Sequence, residues 1–171
     1  GQNAMFGVVN IITRSGEETN GTELSAAWQD PQDAFEGRAT WGKRLANGLD
    51  VLVSASGLRA NGDDHFFDFG ATGVSGVATG LDGESDQQYF ARLARGAWSG
   101  DFMFGKRRKA DPTASFFADP LVPGDFAGDE YAVGQVQYAD SFAADTLKVT
   151  GRLFGGRYRY ASILSFGTPV C

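Results

Sequence analysis

The stretch NGDDHFFDF holds the most concentrated set of side chains that could bind a metal ion. His65, the only histidine of the chain, lies there close to Asp63, Asp64 and Asp68. Imidazole and carboxylate groups are ligands of divalent transition metals. An acidic loop exposed to water explains the same residues without a metal, and we prefer that interpretation. We therefore expect neither a metal ion nor another cofactor.

Patterns for catalysis are weak elsewhere in the sequence. The glycines between Gly70 and Gly83 lack the strand-to-helix context of a phosphate-binding loop, so they indicate a flexible segment. No Ser, His and acidic residues are arranged with the spacing of a nucleophile elbow. We expect that the chain is not an enzyme.

Aromatic side chains cluster in two polar segments and are the candidates for ligand contact. Exposed aromatic clusters often mark a binding site, but such rings also pack against one another, and the sequence leaves both interpretations open. The candidate ligand-binding residues are His65, Phe66, Phe67, Phe69, Phe116 and Phe117.

Composition excludes several broad classes. The 171 residues are 42% hydrophobic, yet no stretch approaches the roughly 18 consecutive apolar residues of a membrane-spanning helix. The net charge of -6 argues against a nucleic-acid partner, which would need clustered Lys and Arg. The single cysteine, Cys171, can form no internal disulfide.

Hydrophobic residues recur with a period of two, which is typical of β-strands. In TELSAAWQD, Leu24, Ala26 and Trp28 fall on one face, while Glu23 and Ser25 fall on the other. A further segment, 129–140, is a strand by composition, although its apolar face is not evident. The same alternation is present in residues 34–43, 49–59, 87–95, 101–109 and 146–154. The sequence thus predicts about seven strands, each close to the 9 to 11 residues that cross a bilayer.

The two faces of these strands favour a transmembrane barrel over a soluble β-sandwich. Charged residues such as Glu36, Arg38 and Arg152 lie in the middle of strands, where a polar lumen tolerates them. The apolar face carries small residues, with Trp and Phe near the strand ends, as in the aromatic girdles of outer-membrane barrels. A sandwich also shows period two, so alternation alone does not decide.

The lengths of the connections alternate. We predict short connections at 44–48, 98–100 and 140–145 and long ones at 60–86 and 110–128; the first connection, 30–33, is short although its parity places it with the long set. Outer-membrane barrels have short periplasmic turns and longer extracellular loops. The first strand is accordingly expected to run outward from the periplasm.

The opening stretch GQNAMFGVVNIITRSG resembles the end of the plug domain of TonB-dependent outer-membrane receptors, where a YGxNAxxGVINIITR segment precedes the first barrel strand. Matching positions include the plug-motif residues Asn3, Gly7, Asn10 and Arg14. The resemblance implies that residues 1–16 are the C-terminal end of a plug domain. Residues 17–171 would then be the N-terminal strands of the barrel.

The fold expected from this resemblance is all-β: an antiparallel meander of about seven strands, an incomplete piece of a large transmembrane β-barrel, preceded by the last strand of a plug domain. The resemblance implies energised uptake of a scarce ligand, such as a ferric siderophore, a vitamin or an oligosaccharide, at the outer membrane of a Gram-negative bacterium. The implied partners are outer-membrane lipid, the TonB complex through a region upstream of this sequence, and a small-molecule ligand such as a metal chelate. A passive porin or adhesin-type barrel and a soluble carbohydrate-binding β-sandwich remain alternatives.

Two structural expectations follow. One set of residues should lie on the convex face and an opposing charged set on the concave face. Residues 1–16 should lie loosely against the concave face or detach from it, and should not extend the sheet beside residues 24–28. The convex set is Leu24, Trp28, Phe35, Trp41, Leu147, Val149 and Leu153, and the concave set is Glu23, Glu36, Arg38, Lys148 and Arg152.

Overall fold

The structure is a computed structural model that describes residues 13–167. These residues form an all-β chain with one short helix. The elements are α1 (Gly16–Thr19), β1 (Gly21–Gln29), β2 (Ala34–Arg44), β3 (Asp50–Ala60), β4 (His65–Asp68), β5 (Ser75–Ala78), β6 (Glu84–Arg95), β7 (Trp98–Ala110), β8 (Phe126–Phe142) and β9 (Leu147–Ile163), with 3-10 turns at Gly70–Thr72 and Ser115–Phe117.

Seven strands form one antiparallel sheet in the order β1-β2-β3-β6-β7-β8-β9. Each strand pairs with its neighbour in sequence, apart from the excursion through β4 and β5, which form a separate two-stranded hairpin. The predicted seven-stranded antiparallel meander is confirmed. Strands β8 and β9 have 17 residues each, which is longer than expected.

Local chemistry explains the tight turns. The β2–β3 turn contains Asn47, whose side chain accepts a hydrogen bond from Leu49 N (3.1 Å), and Gly48 at φ +81°. The β6–β7 turn consists of Gly96 and Ala97 alone, with Gly96 at φ +57°. The favoured two-residue hairpin turns have a positive φ at the first central residue, which glycine adopts without steric cost.

The connections distinguish the two ends of the sheet. Residues 45–49, 96–97 and 143–146 connect strands at one end, the short-turn end; residues 30–33, 61–83 and 111–125 connect them at the other, the long-loop end. Several predicted bounds were wrong. Trp98–Gly100 belongs to β7 because its residues pair with Tyr138, Gln137 and Val136. Residues 140–142 and 126–128, expected in connections, belong to β8 and pair with β9, and the segment expected as one long loop, 60–86, contains the β4–β5 hairpin.

The register separates the predicted sets onto opposite faces. Residues directly paired across a sheet share a face, and Leu24 pairs with Ala39, Trp28 with Phe35, and Leu153 with Val136. The complementary face carries the pairs Ser25 with Arg38 and Gln137 with Arg152. The partition of the apolar and charged sets is confirmed, and we call the two surfaces the apolar face and the polar face.

Few side chains of the described residues are buried. The buried hydrophobic residues are Ala34, Leu52, Ala78 and Ala118, and no large side chain is fully enclosed. Leu24 and Leu153 on the apolar face are each 78% exposed. Hydrophobic burial alone therefore does not account for this sheet, which presents both faces to its surroundings.

Candidate functional surfaces

The β4–β5 hairpin carries four of the six candidate ligand-binding residues. His65, Phe66 and Phe67 lie in β4, and Phe69 follows it. The His65 and Phe67 rings meet edge to face with centroids 6.3 Å apart, and Phe67 and Phe69 are 5.7 Å apart. Phe66 lies on the other side of the strand and is exposed. Mutual packing thus involves three of the four rings.

Phe116 and Phe117 lie in the second long connection, in the 3-10 turn. Both have left-handed backbone conformations, with φ values of +56° and +66°, and Ala114 nearby has φ +52°. Phe117 is 98% exposed. A bulky residue at positive φ is a genuine outlier, and such strain concentrates at functional sites. The sequence predicted these rings as candidates but not their strained backbone.

Hydrogen bonds hold the connection 111–125 at both ends. Asp111 Oδ1 accepts from Thr113 N (2.9 Å) and Thr113 Oγ1 (2.5 Å). Burial raises the pKa of Asp111, but the hydrogen bonds from Thr113 and Ser115 outweigh it, so this pKa lies below its ordinary value. Asp125, which is buried, accepts from the backbone and hydroxyl of Ser165 at 3.0 and 2.7 Å.

The two long connections come together at the long-loop end. A Cβ on Gly76 of the hairpin would lie 2.8 Å from Leu121 Cδ1 in the second connection. Near them is a cavity of about 630 Å³ that includes Arg59, Arg108, Glu84, Asp86, Asp111 and Asp125 in its lining. None of the six candidate aromatic and histidine residues lines this cavity.

The N-terminal segment lies on the polar face at the short-turn end. Arg92 Nη1 donates to Thr13 Oγ1 (3.0 Å), and Arg14 forms a two-pronged ion pair with Glu23, at 2.8 and 2.5 Å. Arg92 and Glu23 both belong to polar-face positions by register. Residues 13–16 therefore lie on this face and form no strand beside β1, as expected, but the contacts are specific rather than loose.

Helix α1 continues this contact and is capped twice. Asp50, which is buried, accepts hydrogen bonds from Gly16 N (2.6 Å) and Glu17 N (2.9 Å). Ser15 and Glu18 form a reciprocal capping box. These bonds satisfy the free N–H groups of the first turn. The expected domain boundary between residues 16 and 17 falls inside α1.

A polar cluster lies next to this segment. Asp101 accepts a hydrogen bond from Gln135 Nε2 (2.7 Å) through one oxygen. Its other oxygen, Oδ1, is buried, lies 3.6 Å from Arg92 Nη1 and has no hydrogen-bond partner within residues 13–167. Arg92 thus lies between a carboxylate of the sheet and the side chain of Thr13.

On the apolar face, each of the seven strands carries three to five successive uncharged residues, counted on β6 only as far as Tyr89, before the amide side chain of Gln87. We call this surface the apolar band. Aromatic residues lie at both of its edges, including the contacting pairs Tyr89 with Phe104 and Trp98 with Tyr138. The band consists of Thr22, Leu24, Ala26, Trp28, Phe35, Gly37, Ala39, Trp41, Val51, Val53, Ala55, Gly57, Tyr89, Ala91, Leu93, Trp98, Gly100, Phe102, Phe104, Ala132, Gly134, Val136, Tyr138, Leu147, Val149, Gly151, Leu153 and Gly155.

The apolar band runs obliquely to the rows of paired residues. We call the edge of the band toward the long-loop end its outer edge and the edge toward the short-turn end its inner edge. The row of paired residues that starts at Trp28, at the outer edge on β1, reaches Ala161 on β9. On β9 the band ends at Gly155, six residues nearer the short-turn end. The row through Trp41, the inner edge on β2, reaches Gly155, the outer edge on β9. The band is displaced by about one residue per strand.

This displacement corresponds to a definite tilt. A strand rises about 3.3 Å per residue and neighbours lie about 4.8 Å apart, so one residue per strand places the band at about 35° to the pairing rows. Tilted strands that cross a flat apolar layer produce such an angle between the apolar residues and the pairing rows. The strands of membrane barrels tilt by roughly 35–45°.

The remaining predicted positions lie partly outside the described residues. Of the plug-motif residues, Asn3, Gly7 and Asn10 fall outside them, as does most of the segment 1–16 that was expected not to pair with residues 24–28. Arg14 is described and lies at the short-turn end beside Glu23. Sequence reasoning missed Asp50 and Asp125, because a carboxylate that caps a distant segment has no local spacing signature.

Residues 13–167 include no helix of the length and hydropathy needed to cross a membrane. Over the same residues, no three His, Cys, Asp or Glu side chains are grouped as a metal site would require. No protein-family model matches the chain, and neither a curated protein nor a solved structure matches it.

Proposed function

We propose that this chain forms part of the barrel wall of a TonB-dependent outer-membrane receptor that takes up a scarce ligand. The oblique apolar band carries the proposal. An exposed apolar surface that crosses seven strands obliquely, displaced on average by about one residue per strand, is suited to a lipid layer, whereas the inner face of a sandwich would lie against a second sheet.

The N-terminal segment supports a receptor over a simple porin. Thr13 and Arg14 are held on the polar face by Arg92 and Glu23, and α1 is held there by Asp50. In a closed barrel the polar face lines the lumen, so a chain that enters from this face comes from inside the barrel. The sequence resemblance of residues 1–14 to the end of a plug domain agrees with that direction.

The long-loop end is proposed as the ligand-capturing end. It combines the exposed rings of Phe66, Phe116 and Phe117 with a nearby cavity of about 630 Å³. Exposed aromatic side chains supply contact area for a ligand.

Depth-dependent quenching tests the membrane placement. The natural protein, with tryptophan retained only at Trp28, only at Trp98, or introduced only by Phe102→Trp, is reconstituted with lipids brominated at shallow or deep positions. We expect shallow quenchers to act on Trp28 and Trp98 and deep quenchers to act on position 102, which lies between the edges of the band. Equal quenching at all depths, or no quenching, would overturn the placement.

Energy dependence separates a gated receptor from a porin. Cells that produce the natural protein are given a labelled ferric siderophore, cobalamin or maltooligosaccharide, with or without a protonophore. A receptor should lose uptake of its ligand when the proton gradient collapses or when the TonB complex is deleted. Uptake that persists under both conditions would identify a passive pore instead.

A further inference from the structure

A group of five cations lies on the apolar-face side of the sheet, immediately beyond the outer edge of the apolar band. On β3 the band ends at Gly57, on β7 at Phe104 and on β9 at Gly155, and the next residue of the same face is a cation in each case. We call this group the cationic belt: Arg59, Lys106, Arg108, Arg157 and Arg159.

The cationic belt is exposed and largely unpaired. All five residues are exposed. Arg157 pairs with Glu130 at 3.0 Å, and the guanidinium of Arg108 lies 3.9 Å from the centre of the Phe126 ring. Within residues 13–167 the other three, Arg59, Lys106 and Arg159, form no ion pair.

On the apolar-face side itself, negative charge beside the cationic belt is sparse. Four carboxylates line the cavity that Arg59 and Arg108 also line, but two of them belong to the polar face by register and the other two accept hydrogen bonds from Thr113 and Ser165: Glu84, Asp86, Asp111 and Asp125. Glu130 is the one carboxylate among the described strand residues of this surface beyond the band, and Asp30 and Asp33 lie in the β1–β2 turn, away from β7 and β9. The whole chain has a net charge of -6, so five cations against one strand carboxylate represent a local excess of opposite sign.

The other end of the same face provides the contrast. Beyond the inner edge of the band lie two cations, Lys43 and Arg95, and one carboxylate, Asp140, so the excess there is a single positive charge against four at the long-loop end. The charge excess is thus concentrated at the long-loop end.

We infer that the cationic belt binds the phosphate groups of lipids in the membrane leaflet at the long-loop end, an inference that rests on the proposed function because it requires the apolar band to lie in a membrane. Lipid phosphates lie at the boundary of the hydrocarbon layer, which is where the belt begins on β3, β7 and β9. In the strand register, Glu130 of β8 lies between Lys106 of β7 and Arg159 of β9, so the backbones of these two cations are about 10 Å apart. This spacing suits a headgroup with more than one phosphate.

The test compares lipid binding by the natural protein and its variants. Each is purified in dodecyl maltoside, titrated with phosphatidic acid or phosphatidylcholine of the same acyl chains, and examined by native mass spectrometry. We expect the unmodified protein to bind phosphatidic acid at least about 10-fold better than phosphatidylcholine. The triple variant Arg59→Gln, Lys106→Gln and Arg159→Gln should lose most of that preference.

Two controls locate the effect. Lys43→Gln with Arg95→Gln, at the other end of the face, should keep the preference, and Arg59→Lys with Arg159→Lys should keep most of it. A triple variant that binds as the unmodified protein does, or an inner-end variant that loses binding equally, would overturn the inference. Displacement by inorganic phosphate would also overturn it, because the site would then take a soluble anion.

The depth-quenching experiment separates this inference from the proposed function. If the tryptophans report the expected depths and the triple variant still prefers phosphatidic acid, only the lipid inference fails. If the quenching depths differ from those expected, the membrane placement itself fails, and with it the premise of the lipid inference.

Discussion

Asp50 is the side chain that joins the N-terminal segment to the sheet. Its two carboxylate oxygens accept hydrogen bonds from successive backbone N–H groups, Gly16 and Glu17, and it is 3% exposed. A buried carboxylate needs such partners, because an unpaired one is strongly destabilising. It also lies 3.7 Å from Arg44, which pairs with Glu17.

The substitution Asp50→Asn should loosen α1. An amide keeps one acceptor oxygen but presents an NH₂ group to a backbone N–H, and hydrogen bonds to charged groups contribute about 1.5–3 kcal/mol. We expect amide hydrogen exchange at residues 16–19 to accelerate by roughly 10-fold or more. Asp145→Asn, an exposed change in a turn at the same end, should have no effect there, and equal exchange in both variants would contradict the role assigned to Asp50.

Gly16 allows α1 to approach the sheet closely. A Cβ at this position would lie 2.0 Å from Val51 O and 2.9 Å from Lys43 N, both of which are backbone atoms and cannot yield as a side chain can. We expect Gly16→Ala to displace α1 and raise hydrogen exchange at residues 16–19. The matched change Gly151→Ala meets nothing within 4 Å, so it should leave exchange unchanged. Protection of residues 16–19 that survives Gly16→Ala would show that the contact tolerates displacement.

At the scale of the elements, the capping box makes α1 sensitive to acid. The backbone N–H of Ser15 and then its hydroxyl donate to Glu18 and hold the pKa of that carboxyl below its ordinary value. Because the folded-state pKa is depressed, the stabilisation is fully present above the ordinary pKa of a glutamate and is lost as the pH falls through the lowered value.

Protection factors of the α1 amides, corrected for intrinsic exchange, should therefore fall as the pH is lowered from 6 to 3. Glu18→Gln removes the titrating group, so the part of this decrease that comes from the box should disappear. A decrease of the same size in Glu18→Gln would mean that another group is responsible.

The strained turn at Ser115–Phe117 is the element from which we expect ligand contact. Phe116→Ala and Phe117→Ala should raise the apparent KM for uptake by about 10-fold and leave the maximal rate nearly unchanged, because exposed rings at a binding surface contribute to capture. Uptake is measured with the probe that the energy-dependence experiment identifies. Phe142→Ala, at the short-turn end, is the matched control; an unchanged KM in the two loop variants would remove them from the ligand site.

Strand periodicity predicted much of the sheet because a period of two is a local property. Leu24 and Trp28 face away from Glu23 for that reason alone, and the register confirms the partition. Segment 129–140 was ambiguous because β8 has hydrophobic residues on both faces: Val136 lies in the apolar band, while Val133 lies on the polar face opposite Met103. Pairing with the neighbouring strands resolves the two faces.

Loop structure was less predictable for a physical reason. The β4–β5 hairpin has only four residues in each strand, and its Ala78 is fully buried. Contacts between segments distant in sequence, such as Asp125 with Ser165, define the long-loop end. The candidate rings were recognised by type alone, whereas the cavity beside Arg59 and Arg108 depends on chain positions that only the fold brings together.

For the molecule as a whole, the proposed membrane placement turns the slope of the apolar band into a prediction of strand tilt. The outer edge moves from Trp28 on β1 to Gly155 on β9, six residues over the six strand-to-strand steps of the sheet. With about 3.3 Å per residue and 4.8 Å per strand, a flat lipid layer requires the strands to tilt by about 35° from the membrane normal. Polarised infrared spectroscopy of the natural protein in oriented bilayers should give a tilt of roughly 35–45° from the amide I dichroism. Strands lying parallel to the membrane plane or without orientation would contradict the placement, because the band would then have no single lipid layer to match.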